Sequence, residues 1–68
     1  MTIYEFVETL FDNHRLYTPN DYMTVEDAAY DLEQFRAEGW DFIPDDITPE
    51  AYAAHWNFLV KQDAESRL

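Results

Sequence analysis

The hydrophobic positions of the chain fall into three helical repeats separated by two loops. Near the N-terminus, apolar residues recur at spacings of three and four, which is the period of one helix face. This stripe predicts a helix over residues 3–13. Thr2, followed by Glu5 three residues later, is typical of a capping box at the start of that helix. The apolar members of the stripe are Ile3, Phe6, Val7, Leu10 and Phe11.

The second repeat predicts a helix over residues 25–38. Thr24 stands at the N-cap position, and Glu26 and Asp27 lie in the first turn, where the helix dipole favours carboxylates. Gly39 follows as a residue that readily takes a positive φ just past a helix end. The stripe expected to face the core consists of Val25, Ala28, Ala29, Leu32, Phe35 and the stem of Arg36.

The third repeat predicts a helix over residues 49–62. Thr48 suits the N-cap, and Pro49 suits the first helical position, where its missing N–H costs nothing. Three amphipathic helices predict an all-α fold, a small three-helix bundle, in one domain over residues 1–68. The alternative fold is a two-helix unit packed on a small β-element around Trp40–Ile43. The inward stripe of the third helix is Tyr52, Ala53, Trp56, Leu59 and Val60.

Both predicted loops carry large apolar side chains that we expect to pack onto the core. The first loop, residues 14–23, has turn-forming residues at its centre, Pro19 and Asn20. The second loop, residues 39–47, alternates large apolar residues with aspartates. The expected core contacts are Leu16, Tyr17, Tyr22 and Met23 from the first loop, and Trp40, Phe42 and Ile43 from the second.

Composition restricts the classes of function. The chain has 68 residues, no Cys, and 15 Asp and Glu against 4 Lys and Arg, giving a net charge of −11. That charge argues against nucleic acid or an anionic membrane as a direct partner. The aromatic content of 18% argues against disorder. No apolar run approaches the ~20 residues of a membrane span, and the N-terminus lacks a signal-peptide pattern, so we expect a cytoplasmic protein.

No arrangement of residues predicts catalysis, a cofactor or a metal site. Ser66 has no base placed to activate it, and His14 and His55 are isolated in the sequence. The third-helix histidine, His55, flanks the inward stripe and is expected at the edge of the core. Aspartates of the second loop lack the glycine and the alternation of a calcium-binding loop. We therefore predict a protein that is not an enzyme and holds no metal.

The negative charge is concentrated between Asp21 and Glu50, where ten carboxylates face one basic residue, Arg36. Carboxylates four residues apart on a helix have Cβ atoms ~6 Å apart and repel one another. Such a face either serves only to keep the protein soluble or binds a cationic groove built for nucleic acid. The candidate partner-binding residues are Glu26, Asp27, Tyr30, Asp31, Glu33, Glu38, Asp41, Asp45 and Asp46.

A very small, strongly acidic, cysteine-free helical chain with this carboxylate-rich stretch resembles the phage-encoded anti-defence proteins. These are the anti-CRISPR inhibitors and the antirestriction DNA mimics. The resemblance implies a non-enzymatic inhibitor whose partner is a basic nucleic-acid-binding protein, such as a subunit of a CRISPR–Cas surveillance complex. It also implies that the inhibitor occupies the place where target DNA or its PAM is recognised.

A different reading of the same chain is a generic interaction module or small antitoxin-like regulator that binds through an apolar patch. Phe58 indicates this patch, because it lies off the inward stripe of the third helix, near Ala51 and His55. The aromatic second loop is a third candidate, since it would pair two copies into a dimer. The expected oligomeric state is therefore a monomer or a weak dimer.

Overall fold

The computed structural model describes residues 1–13 and 22–66, which form three α-helices. These are α1 (Ile3–Asn13), α2 (Val25–Ala37) and α3 (Pro49–Ser66). No strand occurs in either described segment, so the predicted all-α three-helix fold is confirmed and the alternative with a β-element is wrong. The expected turn and anchors at residues 14–20, together with Asp21, lie outside the described residues.

Each helix begins at a threonine that caps it. The hydroxyl oxygens of Thr2, Thr24 and Thr48 each accept a hydrogen bond, at 3.1 Å, from the backbone N–H three residues later. In α1 and α2 the bond is reciprocated, because Glu5 and Asp27 accept from the backbone N–H of their capping threonine. This backbone hydrogen bond lowers the pKa of Glu5 below its ordinary value. The predicted starts of all three helices are therefore confirmed.

The C-terminal ends differ slightly from the prediction. α2 ends at Ala37, with Glu38 as its C-cap, because the chain leaves the helix through Gly39 at φ +82°. The N–H of Gly39 donates to the carbonyl of Arg36, and the N–H of Trp40 donates to that of Phe35, which is the Schellman arrangement. α3 continues four residues beyond the predicted 62, since no Gly or Pro interrupts the segment up to Ser66.

The third helix is the centre of the bundle. α1 and α2 both pack on α3, whereas no Cα atoms of α1 and α2 approach within 8 Å in the described parts of the chain. The contacts that join the helices show that α1 runs parallel to α3 and that α2 runs antiparallel to it. The buried core residues are Phe6, Val7, Leu10, Ala28, Leu32, Ile47, Tyr52, Ala53 and Val60.

The predicted inner stripe of α2 is wrong at three positions. Val25 is 43% exposed, and Ala29 and Arg36 are also exposed. The helix is turned so that Asp31, not Ala29, lies at the α3 contact, where Asp31 accepts a hydrogen bond from Tyr52. This rotation of α2 is possible because a carboxylate that accepts a hydrogen bond is tolerated in a part-buried contact.

The second loop packs down as expected, with one exception. Trp40 stacks on Phe35 with ring centroids 4.2 Å apart, and Ile43 is half-buried. Phe42 also stacks on Trp40, with ring centroids 5.1 Å apart, but the residue is 47% exposed. Of the two first-loop anchors that are described, Met23 is half-buried and Tyr22 is exposed.

The entrance to α2 is fixed to α3 by an asparagine that imitates a backbone pairing. Asn57 Oδ1 accepts from the N–H of Met23 at 2.6 Å, and Asn57 Nδ2 donates to the Met23 carbonyl at 2.9 Å. Both bonds are part-buried and join positions 34 residues apart. They satisfy a backbone donor and acceptor where no helix or strand is present to do so.

No described helix combines the length and apolar content needed to cross a bilayer.

Replacing Asn57 by Ala removes both bonds and leaves the Met23 backbone groups part-buried and unpaired. We expect Asn57→Ala to lower the free energy of unfolding by about 1–3 kcal/mol. Urea unfolding followed by circular dichroism measures the change. Gln34→Ala, at an exposed position of α2, is the matched control and should change stability by less than about 0.5 kcal/mol. Equal stability of the two variants would contradict this role of Asn57.

Candidate functional site

Three of the predicted partner-binding residues form an outward-facing row on α2. Glu26, Tyr30 and Glu33 are spaced four and three residues apart, so they lie on one side of the helix. All three are exposed, Tyr30 by 63%. None makes a hydrogen bond or an ion pair with another residue of the described segments. We call this row the outer face of α2.

Two further predicted residues serve the ends of α2. Asp27 Oδ2 accepts from the N–H of Thr24 at 3.3 Å and so completes the N-terminal capping box. Glu38 Oε2 accepts from the indole N–H of Trp40 at 3.1 Å, just beyond the helix. Both side chains are exposed, but each is oriented by a bond that helps to define where the helix begins or ends.

Asp31 has an internal role as well. The hydroxyl of Tyr52 donates to Asp31 Oδ2 at 3.2 Å, across the contact between α2 and α3. Tyr52 is almost completely buried. Burial raises the pKa of the Tyr52 phenol well above its ordinary value of 10.0, and the negative charge and hydrogen bond of Asp31 raise it further. The phenol therefore acts as a permanent donor to the carboxylate at neutral pH.

The remaining predicted residues, Asp41, Asp45 and Asp46, are exposed on the connection between α2 and α3. They form no hydrogen bond or ion pair with the outer face of α2. Within residues 1–13 and 22–66, no three His, Asp or Glu side chains converge so as to hold a metal ion. The structure thus places the loop aspartates as separate surface charges.

Among the described residues, no positive charge is paired with this surface. Arg36 and Lys61 are the Lys and Arg residues that the structure describes, and neither forms an ion pair with a carboxylate of the outer face. Arg36 lies one helical turn beyond Glu33 on the same helix. His55 Nε2 on α3 lies 3.5 Å from Glu8 Oε1 on α1. Glu26 and Glu33 therefore face solvent without an ion-pair partner in the described segments.

A groove lies between α1 and α3, and the sequence predicts only part of it. It has a volume of about 300 Å³. Tyr4 and Phe58 are its exposed aromatic residues, and both contact His55, with ring centroids 4.9 Å and 5.8 Å apart. Phe58 is a candidate from sequence, but Tyr4 lies outside the predicted apolar stripe of the first helix. Its lining residues are Ile3, Tyr4, Ala51, Ala54, His55 and Phe58.

His55 occupies the edge of the core, as expected, and is the polar element of this groove. Its Nε2 atom is buried and has no hydrogen-bond partner among the described residues. The separation of 3.5 Å from Glu8 Oε1 is too long for a good hydrogen bond. The α1–α3 contact is therefore incompletely paired at this point.

Comparison with protein-family models, curated proteins and solved structures finds no match to this chain. The resemblance to anti-defence proteins stays a prediction. The function is accordingly argued from the surfaces themselves.

Tyr52 makes the folded protein lose stability in alkali. Its phenol holds the proton to a higher pH in the folded state than in the unfolded chain, where the pKa is near 10.0. Above that pH the unfolded state has released a proton that the folded state retains. The free energy of unfolding therefore falls as the pH rises, by up to about 1.4 kcal/mol per pH unit. Urea unfolding at a series of alkaline pH values measures this slope.

The control for this slope is a pair of tyrosine substitutions. Tyr52→Phe should be less stable at neutral pH, because Asp31 loses its donor, but should show a smaller alkaline decline. Tyr30→Phe, at an exposed position, should retain the wild-type decline. An unchanged slope in Tyr52→Phe would show that another group causes the loss.

Proposed function

We propose that the protein is a non-enzymatic inhibitor that binds a cationic, nucleic-acid-contacting surface of another protein through the outer face of α2. A CRISPR–Cas effector complex in the host cytoplasm is the proposed target, and neither nucleic acid nor a membrane is a direct partner. The observation that supports the proposal is the exposure of Glu26 and Glu33 on either side of the exposed ring of Tyr30, with no ion pair to Arg36 or Lys61, the described basic residues.

The spacing of these carboxylates suits a phosphate-binding surface. Glu33 lies seven positions after Glu26, an advance of about 10.5 Å along a helix axis. Four consecutive phosphates of one DNA strand, separated by three steps of ~3.4 Å, span about 10 Å of the duplex axis. Arg and Lys side chains arranged for that repeat would therefore meet both carboxylates. Asp27 and Asp31 lie on the flank of the same helix and add to the negative field.

The energetic argument also favours a cationic partner. An isolated small domain with a charge of −11 is destabilised by self-repulsion. A basic groove removes that repulsion and supplies charge-assisted hydrogen bonds, while the charge accelerates association over distance. Tyr30 adds an aromatic contact of the kind enriched in protein interfaces. The loop aspartates, Asp41, Asp45 and Asp46, extend the negative surface.

Replacing carboxylates of α2 by lysine tests the proposed binding surface. The suitable positions are those whose side chains make no hydrogen bond within the described fold. Asp27→Lys removes half of a capping box, and Asp31→Lys removes the acceptor of the Tyr52 hydroxyl, so both would change folding together with charge. Glu26 and Glu33 have no such bonds to other described residues. Charge and folding are most nearly separable at Glu33, whereas Glu26 also interacts with the positive end of the α2 dipole.

We expect Glu26→Lys combined with Glu33→Lys to weaken binding to the target at least about a hundredfold, because each charge-assisted hydrogen bond contributes about 1.5–3 kcal/mol. The measurement is binding of target DNA by purified CRISPR–Cas effector complexes in the presence of the protein. Wild-type protein should displace DNA, less so at high salt. The double variant should not, while its circular dichroism stays unchanged.

The matched control reverses one charge at equivalent positions of two helices. Glu26 and Glu50 are each the second residue of their helix, and both are exposed. Glu26→Lys alone should weaken binding about tenfold, whereas Glu50→Lys should retain most of the inhibition. Full inhibition by the double α2 variant, or equal loss in Glu26→Lys and Glu50→Lys, would refute the outer face as the binding surface.

A further inference from the structure

The groove between α1 and α3 is an exposed apolar surface of the bundle. The two exposed aromatic rings that border it, Tyr4 and Phe58, are 63% and 55% exposed. Exposed apolar area of this kind costs free energy, about 25 cal/mol per Å², that contact with another apolar surface recovers. Between the rings, Ala51 and Ala54 leave space because their side chains are short.

Two further depressions lie farther along α3. One, of about 210 Å³, shares Phe58 with the groove and is also lined by Lys61, Gln62 and Glu65. The other, of about 360 Å³, shares Gln62 with the first and reaches α1 at Phe11 and Asp12. From Ala51 to Gln62 a helix advances about 16 Å, or three turns. The three depressions therefore lie along a length of α3 that matches three turns of a partner helix.

The charges along this surface indicate the occupant. Among the exposed charged residues that line these depressions in the described chain, Asp12 and Glu65 stand against Lys61, and Glu8 lies beside His55. A second copy of the chain is a poor occupant, because each copy carries −11 and would bring like charges together. A segment that combines apolar side chains with Lys or Arg fits both the rings and the carboxylates.

We propose that the groove binds an amphipathic helix of a partner protein, with apolar side chains placed against Tyr4 and Phe58 and with Lys or Arg along its flanks. This is the helix-in-groove mode of recognition, in which anchors recur every three or four residues. The groove uses residues of α1 and α3, and none of α2. The proposal therefore stands or falls separately from the function assigned to the outer face of α2.

Three synthetic peptides of about 18 residues, or five helical turns, test the groove. One has Leu on one face and Lys on the other, the second replaces Leu by Ser, and the third replaces Lys by Glu. Titration of isotope-labelled full-length protein, followed by amide chemical shifts, gives the site and the affinity. We expect the Leu/Lys peptide to bind most tightly and to shift the amides of Tyr4, Ala54 and Phe58.

Substitutions separate the groove from general attraction to an acidic protein. Phe58→Ser should weaken binding of the Leu/Lys peptide about tenfold, whereas Tyr22→Ser, a control of similar exposure outside both proposed surfaces, should not. Ala54→Arg, which fills the groove with a cation and keeps both rings, should weaken it as well. Equal binding of any two peptides, equal effects of Phe58→Ser and Tyr22→Ser, or shifts confined to α2 would overturn the proposal.

Discussion

One buried side chain, Tyr52, joins all three helices. Its ring lies on the central helix and packs against Phe6 of α1, with centroids 6.4 Å apart, while its hydroxyl donates to Asp31 of α2. No Cα atoms of α1 and α2 approach within 8 Å in the described parts of the chain, but Phe6 also meets Phe35 of α2 edge to face, with centroids 6.3 Å apart. The rotation of α2 about its axis buries Ala28 and Leu32 and places Asp31 beside Tyr52, and so determines which carboxylates face outward.

That rotation divides the acidic residues of α2 by their roles. Asp27, Asp31 and Glu38 accept hydrogen bonds that cap the helix or attach it to its neighbours, so their charge contributes to folding. Glu26 and Glu33 accept no such bonds from described residues, and both add to the negative charge of a small domain, although Glu26 also interacts favourably with the N-terminal end of the α2 dipole. A charge that costs stability and supports no contact within the fold is the kind that recognition of a cationic surface explains.

Local signals predicted much of the fold, and tertiary contacts account for what they missed. Threonine caps fix the helix starts through bonds within three residues, so sequence alone located them. The prediction that Ala29 faces the core is wrong. Asp31 lies at the contact with α3 instead, and its hydrogen bond from Tyr52 joins residues 21 positions apart, which local sequence patterns do not reveal. The groove was recognised only at Phe58, since its other ring, Tyr4, belongs to a different helix and reaches it by the parallel packing of α1 on α3.

The two proposed surfaces act over different ranges. Charges on α2 attract a partner across the Debye length, about 8 Å at physiological ionic strength, whereas the apolar groove acts only on contact. Salt therefore weakens the first interaction much more than the second. Since the groove and the outer face of α2 have no residue in common, their contributions to binding should add when two separate partner segments are bound. Coupling between them would mean that one rigid element of a partner spans both surfaces.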